Sequence, residues 1–107
     1  MIKISVMYPY SPEGRFDMDY YCKVHMPLVK TRMGEYCRGY EVDNGLSGRA
    51  PDSAPVYVAV AHIYCESMDD FRKGFGPHAG EFKEDQKNYT NIASVMQVSE
   101  LAASVRG

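Results

Sequence analysis

The sequence lacks the short motifs that identify the common enzyme classes. It contains no HExxH helix for a catalytic zinc, no glycine-rich phosphate loop and no GxSxG nucleophile turn. Its three cysteines, Cys22, Cys37 and Cys65, are odd in number and have no CxxC spacing, which argues against both a disulfide framework and a structural zinc site. We therefore expect plain thiols and no metal site.

The sequence also has no strong excess of either charge and no long hydrophobic run. Twelve basic and fourteen acidic residues give a formal net charge of -2, without the basic stripe that a phosphate backbone would require, so we expect no nucleic-acid partner. The apolar start meets Lys3 at once, and no later apolar run approaches the roughly 20 residues that span a bilayer. The sequence thus predicts a cytoplasmic protein with neither a signal peptide nor a membrane partner.

What is present is the composition of one globular domain. The chain has 107 residues, of which 45% are hydrophobic, and this size is usual for a single domain. We expect one domain over residues 1–107, with a frayed tail from about 102 to 107. Nine tyrosines, seven methionines and three histidines supply the adaptable and hydrogen-bonding side chains from which a site could be built.

Alternation of apolar and polar residues predicts four strands. These are expected at about 2–8, 40–46, 56–65 and 92–101, with a loop over 47–55 that contains glycine, proline and serine. The third strand differs from the others because it is apolar at consecutive positions, so that both of its faces are apolar.

The first helix is predicted to begin after Asp17, a good N-cap residue. Apolar and aromatic residues then recur at spacings of three and four on one face: Met18, Tyr21, His25 and Leu28. Pro27 lacks an amide N–H and clashes with the carbonyl four residues back, so the helix is expected to kink or restart there, with His25 at the end of its first segment. Gly34 is expected to end the second segment.

A second helical region is predicted to begin at Ser67, whose spacing to Asp70 is suited to capping. It would carry Phe71 and Phe75 until Gly76-Pro77 breaks it and starts a new segment. His78 is thereby expected near a helix N-terminus.

The order of these elements, β-α-β-β-α-β, predicts an α+β fold of the ferredoxin-like kind. Two right-handed crossovers place both helices on one face of a four-stranded antiparallel sheet and leave the other face open. Because the third strand is apolar on both faces, we expect a second copy of the chain to cover the open face, giving a homodimer through facing sheets. The alternative is a monomer with scattered exposed apolar residues.

The histidines are the candidate acid-base residues. His25 lies on the inward face of the first helix, where a helix C-terminus would favour its charged form. His78 near a helix N-terminus would favour the neutral form, so the two could divide acid and base roles. Alternatively, His25 is a satisfied core residue and His78 a polar residue in solvent. His62 is expected in the core with a tyrosine partner.

Taken together, these segments resemble the EthD family, small proteins first associated with ethyl tert-butyl ether degradation, within the dimeric α/β-barrel superfamily. The resemblance covers nearly the whole chain. It rests on Ile2-Lys3-Ile4-Ser5-Val6, Arg15-Phe16-Asp17-Met18-Asp19-Tyr20-Tyr21, His25-Met26-Pro27-Leu28, Phe75-Gly76-Pro77-His78-Ala79 and Asn88-Tyr89-Thr90.

The resemblance implies a ferredoxin-like protomer, a dimeric α/β barrel and a cavity between sheet and helices. Related barrel proteins include cofactor-free cyclases, isomerases and monooxygenases in which a histidine near the second helix acts as acid or base, a role that His78 matches. The leading hypothesis is a cofactor-independent enzyme or accessory protein acting on a small apolar or oxygenated compound, with His78 as general base and His25 as its acid or orienting partner. Tyr21 and Tyr89 would hold an enolate or phenol oxygen.

The sequence also suggests further substrate contacts and two alternative functions. His62 and Phe75 are the further residues expected to contact substrate. A non-catalytic protein that delivers an apolar molecule to an oxygenase system is the alternative function. Haem binding through a histidine is a minor possibility, which a Soret band after haem addition would reveal.

Overall fold

The four predicted strands form one antiparallel sheet. The computed structural model describes residues 1–107, and its strands lie in the order β2-β3-β1-β4. They are β1 (Ile2–Pro9), β2 (Gly39–Asn44), β3 (Tyr57–Cys65) and β4 (Val95–Glu100). All neighbouring strands are antiparallel, with β1 in the centre between β3 and β4. The predicted α+β class and ferredoxin-like arrangement are confirmed.

Two strand ends differ from the prediction. The fourth strand begins at Val95 because the backbone of Ile92 is used elsewhere: its N–H donates to Thr90 Oγ1 and its carbonyl accepts from Gln86 Nε2. The Ile92 side chain is buried, so its apolar character reflects packing and not strand pairing. The second strand ends at Asn44, before Leu46, which is 88% exposed.

The helices form two runs along the chain. The first comprises α1 (Met18–Tyr20), a π-helical turn (Tyr21–His25), α2 (Met26–Met33) and a 3-10 turn (Gly34–Tyr36). The second comprises α3 (Met68–Phe75), a 3-10 turn (Gly76–His78) and α4 (Ala79–Gln86). None of these helices has the length and hydrophobicity needed to cross a bilayer.

The predicted helix starts are confirmed by their caps. Asp17 Oδ1 accepts a hydrogen bond from the N–H of Tyr20 at 3.0 Å. Ser67 Oγ accepts one from the N–H of Asp70 at 3.1 Å. Each such cap stabilises its helix by about 1 kcal/mol, since it satisfies an amide that has no partner within the helix.

Pro27 lies in the first turn of α2, where a kink or restart was expected, and the run changes there from π-helical to α-helical. The π-helical turn lies just before it, and the N–H of Met26 bonds to the carbonyl of Tyr21, five residues back. This wider turn accommodates a residue that has no N–H and that would clash with the carbonyl of an ordinary α-helical turn. His25 is the last residue of the π-helical turn, as predicted for the first segment, and the helical run continues through α2, which ends as predicted at Gly34 with φ of 60°.

The core fills the space between the sheet and the helices. The sheet contributes residues that are at most 2% exposed, namely Ile4, Tyr8, Ala59, Ala61, Ile63 and Cys65. Tyr21, Met26, Val29 and Met33 pack onto them from the first helical run. Alternate burial along β3 shows that Ala59, Ala61 and Ile63 face the helices, as the period of two requires.

The other face of the sheet is mixed and not uniformly apolar. Val60 lies beside Met7 on it, but His62 follows two residues later. His62 Nδ1 lies 3.1 Å from Ser5 Oγ, and its Nε2 lies 3.0 Å from Asp43 Oδ2. The expected tyrosine partner is therefore wrong, because the residues across the neighbouring strands at this position are polar and reach the ring first.

Candidate functional site

A cavity of about 400 Å³ lies between the helices and the β1 and β4 side of the sheet. Twelve of its sixteen lining residues are hydrophobic. Val6 and Met96 come from the adjacent strands β1 and β4, while Phe75, Ala79 and Phe82 come from the second helical run. This volume and this apolar lining with a few polar groups are typical of small-molecule sites.

Three tyrosines form the polar part of the cavity wall. The hydroxyls of Tyr8 and Tyr89 lie 2.8 Å apart, and the rings of Tyr21 and Tyr89 contact each other with centroids 4.9 Å apart. Burial raises the pKa of Tyr8, Tyr21 and Tyr89 above the ordinary tyrosine value. All three hydroxyls therefore remain protonated at neutral pH, and one proton of the Tyr8–Tyr89 pair is used in the hydrogen bond between them.

His25 is the one histidine in the cavity wall, and it is held by a half-buried carboxylate. Its Nδ1 lies 2.9 Å from Asp85 Oδ2. The other carboxylate oxygen accepts hydrogen bonds from the Tyr20 hydroxyl at 2.6 Å and from Asn88 Nδ2 at 2.9 Å. Burial acts to raise the pKa of Asp85, but these hydrogen bonds outweigh it and lower the pKa below its usual value. The carboxylate is thus ionised.

This contact determines the proton arrangement on the imidazole. An ionised carboxylate only accepts hydrogen bonds, so Nδ1 of His25 carries the proton and Nε2 has a lone pair. Nε2 lies 3.5 Å from the Tyr89 hydroxyl, at the outer limit of hydrogen bonding. The ring also stacks on Tyr21, with centroids 5.3 Å apart and planes 13° from parallel. Nε2 is therefore oriented and only weakly engaged.

Burial also determines the charge of His25. It lowers the pKa of the imidazole below its ordinary value, although the hydrogen bond and charge of Asp85 act in the opposite direction. The expectation that His25 would favour its charged form is wrong, because the helix does not end there and burial is the larger effect. At neutral pH the ring is a neutral base.

Four of the six residues predicted from the sequence to form the site lie together. His25, Tyr21, Tyr89 and Phe75 all line the cavity. His62 does not, since it lies on the opposite face of the sheet. The structure does not bring His78 to the cavity either.

His78 lies in the 3-10 turn before α4, and it is half-buried. Its ring centroid is 6.1 Å from that of Phe82, and its side chain forms no hydrogen bond to cap α4. The neighbouring Ala79 faces the cavity instead. The expected pairing of His25 with His78 in one cavity is therefore not what the structure shows.

Asp85 and Tyr8 are the site residues that the sequence analysis missed. Phe82 and Asp85 lie three residues apart on one face of α4, and Tyr89 follows in the turns after that helix. The sequence signal for Asp85 was an acidic residue on that otherwise apolar face. The sequence has no signal for Tyr8, because its position in the strand is equally typical of a core residue. No group of three or more His, Cys, Asp or Glu side chains that could hold a metal ion is present.

Comparison with known families decides the family of the chain. A model described as an EthD domain matches residues 15–93, which include the cavity residues of the first and second helical runs. The chain belongs to the EthD family. The resemblance inferred from the sequence is confirmed, and the fold of this EthD chain is that of the dimeric α/β-barrel superfamily.

Solved structures agree with this assignment. An EthD-like protein from Ralstonia eutropha JMP134 is 43% identical, with a TM-score of 0.93 over 97% of this chain and 94% of that one. An ethyl tert-butyl ether degradation family protein from Bacillus halodurans C-125 is 14% identical, with a TM-score of 0.63 over 94% and 97%. An antibiotic biosynthesis monooxygenase shares the fold, at 13% identity and a TM-score of 0.57 over 94% and 97%. No curated protein matches this EthD chain.

Proposed function

We propose that this EthD protein binds a small, largely apolar, oxygenated molecule in the cavity and transfers a proton to or from it through His25. The observation that carries the proposal is the orientation of His25. Its Nδ1 is held by Asp85 at 2.9 Å, and its Nε2 has no close protein partner in the wall of an apolar cavity. A base held by a carboxylate with its lone pair toward a ligand is the usual arrangement for general base catalysis.

The proposed reaction is proton removal from a carbon next to a carbonyl group, or from a phenol. Nε2 of His25 takes the proton, and the electron pair of the broken C–H bond moves to the carbonyl oxygen, giving an enolate. The imidazolium that forms is stabilised by the Asp85 carboxylate. Return of the proton to another carbon of a conjugated enolate completes an isomerisation without any cofactor.

A tyrosine hydroxyl would stabilise the developing oxygen charge. Tyr21 and Tyr89 line the same cavity as His25, and both hydroxyls are protonated at neutral pH. Proton transfer by a positioned histidine contributes only about 10²- to 10⁴-fold. The remaining acceleration must come from orientation of the ligand and from exclusion of water by the apolar wall.

The role of general base is therefore proposed for His25 and not for His78. His78 lies outside the cavity lining, whereas His25 lines the cavity and combines a buried ring and a carboxylate partner with a second nitrogen whose nearest polar contact is 3.5 Å away. The family name connects relatives with ethyl tert-butyl ether degradation. An oxygenated intermediate of such a degradation pathway is the ligand class that we propose.

The test is exchange of the acidic C–H protons of 2-tetralone, a small apolar ketone, in D₂O followed by NMR. We expect the protein to accelerate exchange over buffer, His25→Gln to abolish the acceleration, and His78→Asn to retain it. Binding of the ketone without accelerated exchange would contradict catalysis and favour the delivery role. Absence of binding would contradict the proposed cavity function as a whole.

We also propose that the protein is a homodimer whose sheets face each other. Met7 and Val60 lie together on the sheet face away from the helices, and Val95 of the neighbouring strand is 50% exposed. Soluble monomers seldom expose such apolar groups side by side. The polar residues around them, among them His62 and Asp43, already bond to each other within one protomer and so need no partner from the second copy.

A further inference from the structure

One lysine interrupts the apolar lining of the cavity. On α4, four lining residues share one face at spacings of three, four and seven: Ala79, Phe82, Lys83 and Gln86. Among the sixteen residues of the lining, Lys83 is the one with a permanent charge. Lys83 is exposed, whereas His25 is buried. The cavity therefore has a neutral base inside and a cation at its mouth.

Lys83 has no ion-pair partner, although acidic residues surround it in sequence. Each neighbouring acid is engaged elsewhere: Glu81 with Arg32, Glu84 with Lys87 and Asp85 with His25. Gln86, the polar lining residue one turn along, donates to the carbonyl of Ile92. Lys83 is consequently the unengaged polar group of α4 that faces the cavity.

We propose that Lys83 selects ligands with an anionic group, a carboxylate in the simplest case, on the end that remains at the mouth of the cavity. This inference rests on the proposed binding function of the same cavity. The apolar body of the ligand would occupy the interior near His25, and its carboxylate would accept hydrogen bonds from the Lys83 ammonium group. An acidic amphiphile is the ligand class that this arrangement fits.

The expected size of the effect is modest. An exposed ion pair in water contributes little, but the apolar wall on one side of Lys83 reduces solvent screening. We expect about threefold to tenfold tighter binding of an acid than of the corresponding alcohol. Because the attraction is electrostatic, this preference should decrease as salt concentration rises.

The experiment is calorimetric titration with octanoate and with 1-octanol. Three proteins are titrated: the wild type in the assembly state in which it is purified, the Lys83→Met variant and the Lys73→Met variant. Methionine keeps the apolar stem of lysine and removes the charge, so packing at the mouth is preserved. Lys73→Met is the matched control, because it removes the same charge at a position outside the cavity lining. In the wild type, Lys73 pairs with Asp69 on α3.

We expect wild type and Lys73→Met to prefer octanoate by the stated factor, and Lys83→Met to bind both compounds equally with unchanged affinity for 1-octanol. Equal binding of the two compounds by wild type would overturn the role of Lys83 while leaving the cavity function intact. A preference that persists in Lys83→Met would also overturn it. Failure of both compounds to bind would instead overturn the underlying cavity function.

Discussion

The imidazole of His25 and the carboxylate of Asp85 form a buried pair, with Nδ1 and Oδ2 2.9 Å apart and side-chain exposures of 7% and 15%. The carboxylate fixes which nitrogen of the ring carries the proton, and it partly opposes the effect of burial on the imidazole pKa. The orientation of His25 therefore depends on a residue from the other helical run, 60 positions away in the sequence.

Replacing Asp85 by asparagine should lower the pKa of His25 further. Asparagine can still accept the Nδ1 hydrogen bond, but it removes the negative charge that favours the imidazolium form. NMR titration of the imidazole C–H resonances measures this pKa, with His25→Gln used to assign the signal. An unchanged or raised pKa in Asp85→Asn would show that the carboxylate does not act on His25 as described.

Acid should destabilise the protein through His25. Its folded-state pKa lies below the ordinary value of 6.5, so as pH falls below about 6.5 the unfolded chain binds a proton that the folded chain does not. Asp85, whose pKa is also lowered, acts in the same direction but only below its ordinary value of 3.8. Between pH 7 and 5 the Tm of wild type should fall more than that of His25→Gln.

The control for this measurement is His78→Asn, which removes a histidine that does not line the cavity. The two replacements remove one histidine each, so they differ in position and not in the number of titrating groups. Equal pH dependence of wild type and His25→Gln would contradict the lowered pKa.

Removing the Tyr89 hydroxyl should cost about 1 to 3 kcal/mol of stability, because Tyr89→Phe leaves the buried Tyr8 hydroxyl without the partner that lies 2.8 Å away. Tyr10→Phe is the matched control. It removes a hydroxyl at a position that is 46% exposed and should change stability by less than about 0.5 kcal/mol. Urea unfolding of both variants gives the comparison, and equal losses would argue against a special role for the buried tyrosine pair.

The proposed dimer is tested by a charge on the open sheet face. Val60→Asp places a carboxylate beside Met7, where a facing sheet would bury it without a partner, so the dimer should dissociate. Val24→Asp, on a helix position that is 45% exposed, should leave the assembly unchanged. Light scattering at micromolar concentration distinguishes the 12.1 kDa protomer from twice that mass. A wild-type protein with the protomer mass would contradict the proposal outright.

The sequence predicted the framework of this fold because its signals are local. Alternation identified three of the strands and a nearly continuous apolar run identified β3. Asp17 and Ser67 identified both helix starts, since a cap needs only the residues two or three positions away. The segment boundary beside Pro27 was predicted, but the π-helical form of the turn before it was not, because a π-helical turn has no comparable local signal.

The site was predictable only in part, for a different reason. His25, Tyr21 and Phe75 were identified by the helix face that carries them, which spacing reveals. The partner of His25 was not, because Asp85 comes from a helix that tertiary packing brings to it. His78 looked equivalent to His25 in sequence, and only the three-dimensional path of the 3-10 turn shows that it lies outside the cavity lining.

The central claim is that the cavity holds an oxygenated apolar molecule against Nε2 of His25. Titration of 2-naphthol into the protein with ¹⁵N-labelled histidine tests it most directly, since the Nε2 resonance of each ring reports on a new hydrogen bond. We predict a saturable shift at His25 Nε2, none at His62 or His78, and loss of binding in His25→Gln but not in His78→Asn. A saturable shift confined to His62 or His78, or binding that leaves the His25 resonances unmoved, would contradict the claim.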